Sequence, residues 1–123
     1  MTNASLIIDK NAATRYDLKL LLWQFNFLTY ECGNTSEAVT SIVSKGPGII
    51  FISLQTIKDT GFDFIQQIKD LHSGLIIVYT DQVTKDDLME CIKAKVDHVL
   101  LNPSEQIERL RDIVTSALQS IAI

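Results

Sequence analysis

Five polar residues stand where short apolar runs give out. Asp9 and Lys10 follow Leu6-Ile7-Ile8, Ser53 falls in the run from Ile49 to Leu54, Thr80 follows Leu75 to Tyr79, and Asn102 follows Val99 to Leu101. A carboxylate such as Asp9 is a hard oxygen ligand of the kind Mg²⁺ takes, usually alongside a second carboxylate and a phosphate. Here the next residue is an ammonium instead. A Lys10 side chain about 4 Å from such a metal would repel it by roughly 8 kcal/mol at an effective dielectric of about 20. Lys10 is therefore expected to turn onto Asp9 and pair with it. A serine hydroxyl becomes a nucleophile only with a base in reach, and the histidine nearest these strand ends, His98, precedes the fifth run. Asn102 donates hydrogen bonds but brings no positive charge to a developing anion. The expectation is that Mg²⁺ and phosphate do not bind, that there is no cofactor or metal, and that the chain is not an enzyme. Two readings of these residues stay open: a satisfied polar patch without a ligand, or a small anion or nucleotide near Lys10 and the helix N-termini.

The elements that must position these residues alternate five times. Strand-sized apolar runs lie at Leu6-Ile7-Ile8, Leu28 to Cys32, Ile49 to Leu54, Leu75 to Tyr79 and Val99 to Leu101. Three of them are β-branched and apolar at successive positions, as strands buried on both faces of a parallel sheet are. Between them, helical spacing predicts a helix from about Ala12 to Phe25 capped by Asn11, and a second after Asn34 that stops at Lys45-Gly46-Pro47-Gly48. A third starts near Gly61, with Phe62, Ile65, Ile68 and Leu71 on one face, and a fourth follows Thr84 with Asp87 as capping partner. The fifth follows Pro103-Ser104, with Ile107, Leu110, Ile113, Val114, Ala117, Leu118 and Ile121 as its stripe. Five β-α units imply an α/β, doubly wound sandwich, a five-stranded parallel sheet of order 2-1-3-4-5. In such sheets the functional crevice lies beyond the strands' carboxyl ends at the switch point, where the five polar residues stand.

Composition narrows the function further. A length of 123 residues fits one domain, residues 1–123. A net charge of −4 without a basic cluster argues against nucleic-acid binding through this domain. No apolar run approaches the roughly 18 residues of a membrane span, and Met1-Thr2-Asn3-Ala4-Ser5 lacks the basic start of a secretory signal. A cytoplasmic protein is expected, with Cys32 and Cys91 as reduced core thiols. His72 and His98 are read as loop or strand-edge residues rather than ligands.

At this point the chain resembles a bacterial response-regulator receiver domain, of the flavodoxin/CheY-like fold, over essentially its whole length. The resemblance rests on Leu6-Ile7-Ile8-Asp9, on Gly61-Phe62-Asp63-Phe64-Ile65-Gln66-Gln67-Ile68, on Thr80, and on the spacing from Ala94 through Asp97 to Pro103. It implies two acidic residues after strand one that bind Mg²⁺, a phosphoaccepting aspartate ending strand three, a Thr or Ser after strand four, and a Lys before the last proline. Carried over, these fall on Asp9 and Lys10, Ser53, Thr80 and Asn102. Asp81 follows Thr80 where a small residue is usual, Ile57 replaces a usual proline, and Val99 stands in place of a switching aromatic. The resemblance thus implies a degenerate pseudo-receiver lacking the phosphoacceptor. It implies signal transduction by phosphorylation-independent interaction or dimerisation, as the N-terminal part of a longer regulator, including transcription regulators. A chain ending in Ala122-Ile123 fits a domain cut from a longer protein.

One surface goes beyond that pattern. The first helix should bury Leu18, Leu21, Leu22 and Phe25, yet Tyr16, Leu20 and Trp23 form a second apolar stripe about 160° away. A helix apolar on two sides is usually buried on both, so the stripe is a candidate interface with a protein partner or a second copy. The alternative is a scattered exposed Leu20, with Trp23 lying flat on a neighbouring helix. A flavodoxin-like enzyme fits less well, because Lys10-Asn11-Ala12-Ala13-Thr14 lacks the glycine- and hydroxyl-rich residues that cradle a phosphate.

Overall fold

In the computed structural model, which describes residues 4–122 with side chains through residue 117, the apolar runs become a sheet. The strands are β1 (Ala4–Ile8), β2 (Leu28–Cys32), β3 (Ile49–Ser53), β4 (Leu75–Thr80) and β5 (His98–Leu101). They are parallel and ordered β2-β1-β3-β4-β5, the order expected. β1 and β3 are buried at every position, because helices cover both faces. Alternate side chains feed two cores. Leu6, Ile8, Ile50, Ile52, Ile76 and Val78 face one, and Ile7, Ile49, Phe51, Ile77 and Tyr79 face the other.

The helices are α1 (Ala12–Trp23), α2 (Thr35–Lys45), α3 (Leu54–Thr60), α4 (Asp63–Leu71), α5 (Lys85–Ala94) and α6 (Ile107–Ala122). Polar caps start them where the chain leaves a strand. Asn11 accepts from the amides of Ala13 and Thr14, and Asn34 from that of Glu37. Thr84 and Asp87 form the reciprocal capping box that their spacing predicts. α2 ends on Gly46 at φ 54°, a left-handed residue that glycine adopts without steric cost.

Three boundaries differ from the sequence reading. α1 stops at Trp23 rather than Phe25, because the chain turns through Asn26 at φ 62°. The connection after β3 is not a plain loop but α3, a short helix that Ser53 caps by accepting from the Thr56 amide. Its Leu54 and Ile57 are buried in the first core, and Gly61 at φ 110° separates it from α4. After β5, Pro103–Glu105 forms a 3-10 turn before α6 begins. On α6, Leu110, Ile113 and Val114 are buried as expected. The Leu118 and Ile121 side chains lie outside the described residues, as does the segment 1–3.

Candidate functional site at the carboxyl ends of the strands

The crevice is built where β1, β3 and β4 release the chain. Its groove, about 1330 Å³, is lined by Asp9, Lys10, Ser53, Tyr79, Thr80 and Pro103 among others. Asp9 is buried at its floor, 4% exposed, and a buried carboxylate must be hydrogen-bonded. Its Oδ1 accepts from the Asn11 amide at 2.9 Å. Its Oδ2 accepts from the Thr14 hydroxyl at 2.5 Å and from the Tyr79 phenol at 2.6 Å. The Arg15 guanidinium also donates to the Asp9 backbone carbonyl at 2.6 Å. Burial first, and then the hydrogen bond to Asp9, push the Tyr79 pKa far above its ordinary 10.0.

Lys10 does not pair with Asp9. Its backbone amide donates to the Thr56 hydroxyl at 3.2 Å, and its ammonium reaches Asp59 on α3. The expected pairing fails for two reasons. An ammonium sunk to Asp9 would be stripped of water, and hydroxyls from Thr14 and Tyr79 already satisfy the carboxylate without adding a buried charge. Asp59 is held below the usual carboxylate range by Lys10 first, then by Gln55. A second ion pair, Lys58 to Asp87 at 3.5 Å, joins α3 to α5 across the rim. α3 thus braces two sides of the crevice, and neither lysine depends on Asp9.

Ser53 ends β3 as expected, but its hydroxyl is committed to structure. It donates to the Thr56 hydroxyl at 2.6 Å and accepts from the Thr56 amide at 3.2 Å. Thr80 turns into its own loop, donating to the Gln82 carbonyl at 2.9 Å. The hydroxyl that β4 delivers to Asp9 is therefore that of Tyr79, which the sequence reading missed. The signal was present in the register: Tyr79 pairs with Ser53 across β3 and β4, and side chains opposite each other share a face. Asn102 takes φ 50°, and its amide donates to the Thr80 carbonyl at 2.8 Å, which aligns the two strand ends. The structure brings Lys10 and Ser53 together at Thr56, gives Asp9 to Asn11, Thr14 and Tyr79 instead, and joins Thr80 and Asn102 through backbone. Among the described residues no group of three or more His, Cys, Asp or Glu could hold a metal ion.

The second stripe of α1 is exposed: Tyr16 is 53%, Leu20 39% and Trp23 52% accessible, while Leu18 and Leu22 are buried. The Trp23 ring sits under the Lys19 ammonium, 5.0 Å from its centroid. Lys19 and Arg15 both reach Glu31 on β2, at 2.9 and 3.1 Å. The Lys19 hydrogen bond is the main reason that Glu31 is held below the usual carboxylate range. Val99 is half-buried against the first core. Cys32 and Cys91 are free and buried, and burial pushes the Cys32 thiol up to about 12. His72 ends α4 and His98 opens β5. No described helix is long and apolar enough to cross a membrane.

The fold has close counterparts. A two-component response regulator from Clostridium difficile superposes with a TM-score of 0.84 at 21% identity, covering 98% of each chain. A CheY-like receiver domain from Methylobacillus flagellatus gives 0.79 at 22% identity, covering 93% of this chain and 97% of that one. A response regulator from Burkholderia pseudomallei, solved with a phosphorylated aspartic acid, a calcium ion and citrate, gives 0.78 at 22%, covering 97% and 71%. No curated protein sequence matches the chain. The family model for the response regulator receiver domain matches residues 5–115, across all five strands and into α6. The chain therefore belongs to the response regulator receiver domain family.

Proposed function

We propose that this receiver domain transmits its signal without phosphoryl transfer, as a non-catalytic pseudo-receiver that acts through protein contact. The observation that carries this reading is the commitment of Asp9. Both carboxylate oxygens of Asp9 already accept hydrogen bonds, Oδ1 from the Asn11 amide and Oδ2 from Thr14 and Tyr79, which leaves a metal one lone-pair position on a buried group whose chain neighbour is Lys10 rather than a second carboxylate. Ser53 supports it too, since its hydroxyl caps α3 and donates its proton to the Thr56 hydroxyl rather than to a base. The contact surface is the exposed stripe of Tyr16, Leu20 and Trp23, and the host is a larger cytoplasmic regulator, including a transcription regulator. The alternative of an anion or nucleotide sensor gains no support from Lys10 or Lys58, whose ammonium groups already face Asp59 and Asp87. Incubation with Mg²⁺ and a small acyl-phosphate donor, followed by intact mass and backbone NMR, tests the reading. It expects unchanged mass and no saturating shift at Asp9 or Ser53. A stable phosphoryl adduct would defeat it.

A further inference from the structure

We infer that the partner of the α1 surface is a cationic, apolar-anchored protein segment rather than a second copy of this chain; this rests on the interaction reading above. The stripe is small. A half-exposed aromatic offers about 100 Å², so Tyr16, Leu20 and Trp23 together present about 300 Å². A stable protein pair needs about 800 Å² from each side. The charge beside the stripe decides what else contributes. Arg15 and Lys19, on one flank of α1, share the single carboxylate of Glu31, and the Lys19 ammonium also covers the Trp23 ring, so the partner's cations belong on the opposite flank. Asp17, on the other flank, lies about 60° round the helix from Leu20 and has no hydrogen-bond or ion-pair partner among the described residues.

The groove continues that flank. Asp17, Leu20, Leu21, Pro103 and Asp81 line it together, and Asp81 too has no partner among the described residues. Its other charges are settled: Asp9 by hydroxyls and an amide, Lys10 by Asp59, Lys58 by Asp87. What remains for a ligand is an apolar strip running into a groove with two free carboxylates. A second copy would bring another net charge of −4 and its own Asp17. A segment with Leu or Phe anchors flanked by Lys or Arg complements both features.

The chain's single tryptophan is Trp23, so its emission reports on this surface directly. The probe is a helical peptide with Leu and Phe on one face and Lys on its flanks, alongside the same peptide with Glu in place of Lys. Titration of the full chain with the Lys peptide is expected to shift Trp23 emission saturably and to weaken with salt. The Asp17→Asn, Asp81→Asn double variant should bind about tenfold more weakly. The Glu peptide should not bind. Equal binding of both peptides, or no loss in the double variant, overturns the charge assignment and leaves the interaction reading standing. So does a concentration-dependent Trp23 shift without peptide, matched by dimer in sedimentation. A Leu20→Asp variant that binds the Lys peptide undiminished removes the α1 surface itself, and with it the interaction reading. No saturable change with the Lys peptide also overturns the inference.

Discussion

Replacing Tyr79 by Phe removes one oxygen from the crevice and leaves the ring in the core. In the native chain that oxygen lies 2.6 Å from Asp9 Oδ2, a buried carboxylate whose remaining partners are Thr14 and the Asn11 amide. A hydrogen bond to a charged group is worth about 1.5 to 3 kcal/mol, so the variant should lose about 2 kcal/mol. For a chain of this size the entropy of unfolding converts that to about 8 °C in Tm. Thermal and urea denaturation measure it, with the urea slope unchanged because no surface is redistributed. The pH dependence adds a second check with a defined sign. The folded-state pKa of Tyr79 lies above its unfolded value of 10.0. Its contribution is therefore complete below pH 10 and is lost as pH rises beyond it, by up to about 1.4 kcal/mol per pH unit. The gap between native chain and Tyr79→Phe should narrow above pH 10, since every other alkaline titration is common to both. An unchanged Tm, or a gap that stays constant from neutral to strongly alkaline pH, would refute the assignment of Tyr79 as a donor to Asp9.

Two further substitutions probe the frame around the site. Ser53→Ala removes the cap of α3 and the partner of Thr56, and should cost about 1 kcal/mol in urea denaturation, with Ser53→Thr recovering part of it. Gly74→Ala should cost more than about 2 kcal/mol, because an added Cβ would stand 2.2 Å from the Gly48 carbonyl and 2.7 Å from the His72 ring; a variant as stable as the native chain would show that this turn is not the tight contact described.

Much of this structure was legible in the residues, and the failures have physical causes. The parallel sheet followed from alternation, and the caps at Asn11 and Thr84 followed from side chains that compete well for free helix amides. α3 was missed because a seven-residue helix carries too few turns to show a period, and its buried positions, Leu54 and Ile57, continue the apolar run of β3. Missing α3 also hid the partner of Lys10, since Asp59 comes within reach only once those residues coil. Tyr79 was counted as the last apolar residue of its run, although an aromatic with a hydroxyl seeks a partner when buried. The polar residues at the strand ends were located correctly, but which of them touch was set by register and by α3.

Whether Asp9 is available to a cation decides between protein contact and phosphoryl transfer. Mg²⁺ titration of the full chain, followed by backbone amide shifts, addresses this most directly. The amides of Asp9, Asn11 and Ser53 are expected to stay in place into the millimolar range. Tyr79, Thr14 and the Asn11 amide then keep the carboxylate to themselves. Saturating shifts at those amides, followed by a phosphoryl adduct on addition of the acyl-phosphate donor, would contradict it.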